Sequence, residues 1–173
     1  MCVLDAKKII ELFNELNREL ADAGESATIF VFGGAALILS VNRDRVTQDI
    51  DAVFSTPSQV RQAVKKVAAA NGLDDDWLND AGKGYLNPDW LGSGTAVYEG
   101  THLNVEIAHP EQLLAMKVAA AREGRDTQDI KNLAQFLGLA TADDVLNVAE
   151  TELGLLAPHL LQPKSSFLIH SIF

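Results

Sequence analysis

Two consecutive glycines, Gly33 and Gly34, sit where the apolar run ATIFVF (27–32) passes into the small-residue stretch AALILSV (35–41). A short run rich in β-branched and aromatic residues reads as a buried strand. Glycine permits the tight turn that follows, and the alanines and leucines beyond it start a helix. The next apolar run, TQDIDAVF (47–54), alternates as a strand does and carries Asp49 and Asp51. Side chains i and i+2 of a strand share a face. Asp49 and Asp51 are therefore expected to face the same way as Thr47 and Val53, with Ile50, Ala52 and Phe54 on the other side. Their Cα atoms would lie roughly 6.5–7 Å apart. Two carboxylates so close repel unless a cation lies between them, and a hard divalent ion such as Mg²⁺ takes oxygen ligands. A solvated strand face, or an aspartate capping a turn, would show the same spacing. The glycine turn lets backbone approach a phosphate and presents helix N–H groups to it, although the same turn also joins strand to helix where nothing binds.

The rest of the chain supplies a frame for this pair. Residues 5–23 place Ile9, Ile10, Leu12, Phe13, Leu16 and Leu20 at helical spacing, with Gly24 as a stop. Thr56-Pro57-Ser58 opens a second amphipathic helix that ends at Asn71-Gly72. Residues 74–90 read as irregular with one short helix, and 95–99 and 101–108 as a strand pair. From Pro110 the pattern is helical over 110–123, 126–138 and 142–153. The expected class is α+β with a small mixed sheet and a helical C-terminal half. A length of 173 residues fits a single domain: an α/β core over 1–109 with its N-terminal helix, a helical part over 110–154, and an apolar tail, 155–173, with no assigned structure.

Composition narrows the function classes. A formal net charge of −10 and a pI near 4.7 argue against a nucleic-acid-coating surface, which needs many Lys and Arg contacts to phosphate. They leave room for a small basic pocket. One cysteine, Cys2, rules out an intramolecular disulfide and a cysteine-rich metal site, and so near a terminus it is a poor nucleophile. The four histidines, 102, 109, 159 and 170, lack zinc spacing. The longest apolar stretch, 29–41, is too short to span a bilayer and is broken by the glycines. The opening MCVLDAKKII is not laid out as a signal peptide, so the expectation is a cytoplasmic protein without membrane association. Trp77 and Trp90, in irregular segments, either wall a cleft or anchor their loops.

Strand, Gly-Gly, helix, then Asp-x-Asp on the next strand resembles the nucleotidyltransferase superfamily, with its DNA polymerase β-like fold. GGAALILSVNRDRVTQDIDAVF is most similar to bacterial nucleotidyltransferase-like proteins related to abortive-infection toxins of the AbiEii type. The similarity continues in DDWLNDAGKGYL (75–86) and IAHPEQLLAMKVAAAREGRDTQDIKNLAQFLGL (107–139). The resemblance implies that Gly33 and Gly34 hold a nucleoside triphosphate and that Asp49 and Asp51 bind one or two Mg²⁺ ions. It also implies transfer of a nucleoside monophosphate to an acceptor, which in toxin relatives is RNA, typically tRNA, and elsewhere a protein or small molecule. A cognate antitoxin would accompany a toxin. Many active members carry serine where this chain has Ala35, which removes one hydroxyl contact to phosphate. The alternative is therefore a non-catalytic member that binds nucleotide or a partner.

Further candidates follow. In the superfamily a third metal-binding carboxylate usually comes from a neighbouring strand, and Glu106, the acid on the polar face of THLNVEIA, is either that ligand or an exposed strand glutamate. Lys117 has Leu113, Leu114, Ala120 and Ala121 as its helical neighbours, so it lies in an apolar stripe. It either snorkels, pairs with Asp126 or Asp129, or points at triphosphate; the resemblance implies a lysine and an aspartate in this region. Arg45, beside Thr47, is placed to neutralise phosphate or to lie in solvent.

Overall fold

The computed structural model describes residues 3–173, so Cys2 lies outside the described residues. Helix α1, Ala6–Asp22, is capped by Asp5, whose side chain accepts the Lys8 backbone N–H. Its apolar stripe, Ile9, Leu12, Phe13, Leu16 and Leu20, is buried. Strand β1 (Ala27–Phe32) leads directly into α2 (Gly33–Ser40), followed by β2 (Ile50–Phe54) and α3 (Pro57–Asn71). After the two-residue β3 (Leu78–Asn79) come 3-10 turns at Ala81–Tyr85 and Pro88–Trp90, then β4 (Thr95–Glu99) and β5 (Leu103–Ile107). Helices α4 (Pro110–Ala120), α5 (Thr127–Leu137), α6 (Ala142–Leu153), α7 (Ala157–Leu160) and α8 (Pro163–Ile172) complete the chain. The class is α+β, as the sequence pattern implies.

The strands form one mixed sheet in the order β3-β2-β1-β5-β4. β1 runs antiparallel to β2 and parallel to β5, β2 is parallel to β3, and β4 is antiparallel to β5. As the central strand, β1 is buried at every position but Thr28, which is why its sequence is a continuous apolar run. One face of the sheet carries Ile29, Val31, Ile50, Ala52, Val105 and Ile107, all buried; α2 packs on β1, β2 and β5, and α1 on β5 and α3. On the other face the rings of Phe30 and Phe32 lie under loop backbone. A Cβ on Gly94 would come within 2.9 Å of the Phe30 ring, and one on Gly82 within 2.7 Å of the Phe32 ring.

The chain divides into two compact units. The first takes in the chain through Gly84 together with Leu91–Ala108; the second takes in Tyr85–Trp90 and His109–Phe173. The 85–90 segment is tied to the helical unit, for example by the Asn87 amide donating to the Glu152 carbonyl at 3.1 Å.

Four local differences from the sequence reading have physical causes. Regular β2 begins at Ile50, so Asp49 precedes the strand: Thr47 is instead held in an isolated bridge to Leu4, with N–H···O distances of 2.7 and 2.9 Å, and Gln48 bends. β3 within the irregular segment is too short for a periodicity to show. Helix α4 stops at Ala120 because Ala121 turns left-handed, with φ 44 and ψ 48. The tail is helical because Pro158 and Pro163 occupy first turns, where a missing N–H costs no hydrogen bond; α8 buries Leu168 and Ile169 and packs on α4 and α6.

Candidate functional site

At the end of β1, Phe32 pairs with Asp51 of β2, and the next residue, Gly33, is the first of α2. This register sets the Asp51 carboxylate against the strand-to-helix turn. Gly33 has φ +66, and a Cβ there would come within 2.6 Å of Asp51 Oδ2. Glycine is required twice at this position, for the left-handed backbone and for the room. A Cβ on Gly34 would lie 3.1 Å from Thr47 Oγ1. Thr47 is fixed by its bridge to Leu4, and its hydroxyl donates to the Asp49 carbonyl at 3.1 Å. The structure thus brings Gly33, Gly34, Thr47 and Asp51 together, with Asp49 next to them in the chain. Asp51 and Thr47 are half-buried and Asp49 is exposed. Arg45 lies half-buried in the turn before Thr47, where its N–H donates to the Asn42 carbonyl. The first N–H groups of α2 have no intrahelical acceptor and carry partial positive charge, and no side chain caps them from Phe32. Ala35 is fully buried, so the side chain at this position does not face the turn's open side.

The sequence reading missed a third wall. β3 pairs with β2 at Asp51–Asn79, which delivers the loop after β3 to the same place: a Cβ on Gly82 would lie 3.5 Å from Asp51 Oδ1. Asn79 Oδ1 accepts the Ala81 N–H at 2.9 Å, and Asp80 accepts from Lys83 Nζ at 2.7 Å and Arg61 Nη2 at 3.1 Å. The Lys83 hydrogen bond, helped by the charges of both cations, holds the Asp80 carboxyl below the usual range against the opposing effect of burial. The sequence signal for this loop was Asn79-Asp80 followed by Gly82 and Gly84, a turn composition. Trp77 is an anchor: it is buried, and its indole N–H donates to the Val64 carbonyl at 3.0 Å.

Glu106 faces the same side of the sheet as Asp51, since Phe30 pairs with Glu106 and Phe32 with Asp51. The register separates their Cα atoms by two strand spacings and two residues, roughly 12 Å. Glu106 Oε2 accepts the Gly94 N–H at 3.3 Å. Among the described residues, no three His, Cys, Asp or Glu side chains gather as a metal-holding group. Mg²⁺ commonly takes one or two protein carboxylates and fills its shell with phosphate oxygens and water. The hard oxygens of Asp49 and Asp51, with glycine backbone close beside Asp51, fit that role.

In the second unit, Lys117 Nζ lies 2.8 Å from Asp126 Oδ1 and 2.9 Å from Asp129 Oδ2. Arg122 closes on Asp126 from the other side, with Nε at 2.8 Å from Oδ2 and Nη2 at 3.1 Å from Oδ1. Asp126 is fully buried and Asp129 nearly so. Burial alone would raise the Asp126 pKa, but the hydrogen bonds and charges of Arg122 and Lys117 prevail and hold it below the usual value. The left-handed turn at Ala121 ends α4 just before Arg122, whose backbone N–H also reaches Asp126 at 3.2 Å.

Among the described residues no helix is long and apolar enough to cross a membrane. No curated protein and no solved structure matches the chain. A family model described as "Nucleotidyltransferase of unknown function (DUF6036)" matches residues 7–147, from α1 into α6. That span covers most of the chain and contains Gly33, Gly34, Asp49 and Asp51 in the arrangement described above. The chain belongs to this nucleotidyltransferase family.

Proposed function

We propose that the protein transfers a nucleoside monophosphate from an NTP to an acceptor hydroxyl, with Mg²⁺ as cofactor. The observation that carries this reading is the packing of the Asp51 carboxylate against Gly33 at the mouth of α2. An anion-binding helix start and a metal-binding carboxylate meet there, as a triphosphate with its cation requires. Gly33 and Gly34 offer backbone N–H groups to phosphate oxygens. Asp49 and Asp51 are the metal ligands, and Arg45 and Thr47 flank the phosphates. Mg²⁺ held there supplies neutralisation of the triphosphate charge. The acceptor oxygen forms a bond to the α-phosphorus as the bond to the β-phosphate oxygen breaks and pyrophosphate leaves. One of the two carboxylates takes the acceptor proton.

Two finer elements belong to this proposal. The acceptor is tRNA or a protein, and the biological role is that of a toxin restrained by an antitoxin, as the AbiEii-type similarity implies. The test is incubation of the protein with each labelled NTP, Mg²⁺ and either total RNA or cell lysate. Label should enter one acceptor class with wild type and not with Asp51→Asn. Growth arrest on expression, relieved by the product of the adjacent gene, checks the toxin role. A second reading, a nucleotide-binding member without catalysis, is favoured by Ala35 in the place of serine and by the separation of roughly 12 Å between the Cα atoms of Glu106 and Asp51. It predicts Mg²⁺-dependent nucleotide binding with no label transfer to any acceptor.

A further inference from the structure

The first unit contains a cleft that none of the residues assigned so far explains. It has a volume of about 290 Å³ and lies on the Asp51 side of the sheet, with Phe30, Val53 and Leu91 as its apolar lining and Glu106, Thr28 and Ser55 as polar points. Phe30 sits opposite Val53 on one neighbour and opposite Glu106 on the other, so these three form a continuous floor. The wall at 91–94 is held close: a Cβ on Gly94 would come within 2.7 Å of the Ile107 carbonyl oxygen and 3.0 Å of Glu106 Cβ. At this size, near the lower end for ligand pockets, the cleft takes a ring system and not a large ligand.

We infer that this cleft seats one nucleobase that carries an exocyclic amine, an inference that rests on the nucleotidyl-transfer reading for where the base comes from. The chemistry is set by Glu106. Its carboxylate is oriented by one backbone N–H, from Gly94, and a carboxylate accepts several hydrogen bonds while donating none. A planar ring would lie against Phe30, Val53 and Leu91 and give its amino N–H to Glu106. The Ser55 oxygen already accepts the Thr28 N–H at 2.9 Å, which leaves its O–H to donate to a ring acceptor. Charge points the same way. A chain with net charge −10 is ill-suited to track a long phosphate backbone, whereas stacking a single base needs no positive surface. A carboxylate in an apolar setting favours a partner with N–H donors over one that presents carbonyls.

Nucleosides without phosphate, in the absence of Mg²⁺, probe the cleft alone. Binding of adenosine, cytidine and uridine to the full chain is measured by saturation-transfer NMR and equilibrium dialysis. Adenosine and cytidine should bind about tenfold or more tightly than uridine, the size of a hydrogen bond to a charged group. Glu106→Gln should remove that preference, and Thr28→Trp should block all three by filling the cleft. Melting curves confirm that each variant folds. Equal binding of the three nucleosides, or a preference that survives Glu106→Gln, overturns the inference; so does binding that survives Thr28→Trp. The source of the base is read separately. A matching preference in the KM of the four NTPs assigns the donor base to the cleft, and competition by short single-stranded oligoribonucleotides ending in A or C, but not U, assigns the acceptor base. Label transfer that persists when no nucleoside binds rejects the cleft and keeps the proposed reaction. Nucleoside binding without any transfer keeps the cleft and rejects the reaction.

Discussion

In the first unit Asp49 is exposed and Asp51 half-buried, and the room beside Asp51 is kept by glycines at 33 and 82. In the second unit Asp126 and Asp129 are buried, and Lys117 and Arg122 are drawn onto them at 2.8–2.9 Å. Both sets of carboxylates stood out in the sequence as candidates for the same site. Burial separates what each can do. A carboxylate shut away from water needs cationic partners to stay ionised, and the second unit supplies them from α4 and the turn that follows it. A carboxylate reachable from solvent can also bind a cation that comes from outside the protein. The lysine on an apolar stripe is thus accounted for within its own unit: its ammonium ends on two aspartates.

The largest expected effect tests the buried set. Lys117→Met removes a cation shared by two buried carboxylates and should destabilise the fold by about 3–5 kcal/mol, measured by denaturant unfolding. Unchanged stability with loss of nucleotide binding would break the comparison, because Lys117 would then serve the ligand. The same cluster makes a pH prediction. The Asp126 pKa is lowered by folding, so its contribution to stability is complete above the unfolded value of about 3.9. It is lost as pH falls through the lower folded value. Unfolding followed from pH 5 to pH 2 should show this acid loss in wild type.

The open set is tested next. With Mg²⁺ and NTP at about 100 times the Kd, wild type should gain about 2.7 kcal/mol of stability by linkage, and Asp51→Asn should lose the Mg²⁺-dependent part. Equal ligand-induced shifts in Tm for the two proteins would remove Asp51 from the metal site. Gly33→Ala should cost about 1–2 kcal/mol, because alanine must adopt φ +66. Its methyl would also displace the Asp51 carboxylate, so nucleotide affinity should fall with stability. A Gly33→Ala protein that binds nucleotide as well as wild type would show that the close approach at the turn has no bearing on the ligand.

Whatever rests on local pattern was legible in the sequence. The stripe of α1, the run of β1 and the Gly33–Gly34 turn each follow from periodicity or from glycine alone, and the turn together with the Asp-x-Asp run pointed to the site. Contacts set by short or distant pairings were not legible. Gly82 reaches Asp51 only because two residues of β3 pair with β2, and two residues have no period to read. The position of Asp49 depends on a single bridge between Thr47 and Leu4, far apart in sequence. The partners of Lys117 were among the alternatives, but the choice between them is made by the left-handed turn at Ala121, where a residue with a Cβ gives no warning of such a conformation.

The smallest expected effect concerns a carboxylate of the second unit that lacks the arrangement found at Asp126. The Glu152 pKa is raised by burial first and by the charge of Glu111 second, with His109 acting in the opposite sense. A raised folded value means that the ionised form is disfavoured in the folded state. Its cost is therefore present at neutral pH, shrinks as pH falls through the folded value, and vanishes below the unfolded value of about 4.3, where both states are protonated. Glu152→Gln keeps the shape and removes the charge. It should stabilise the protein at pH 7 by about 0.5 kcal/mol, the scale of an ordinary surface change, and the two proteins should converge near pH 4. The backbone carbonyl of Glu152, which accepts from Asn87, is untouched by the substitution. A Glu152→Gln protein less stable than wild type at pH 7 would mean that this half-buried carboxylate is held by a cation after all, as Asp126 is.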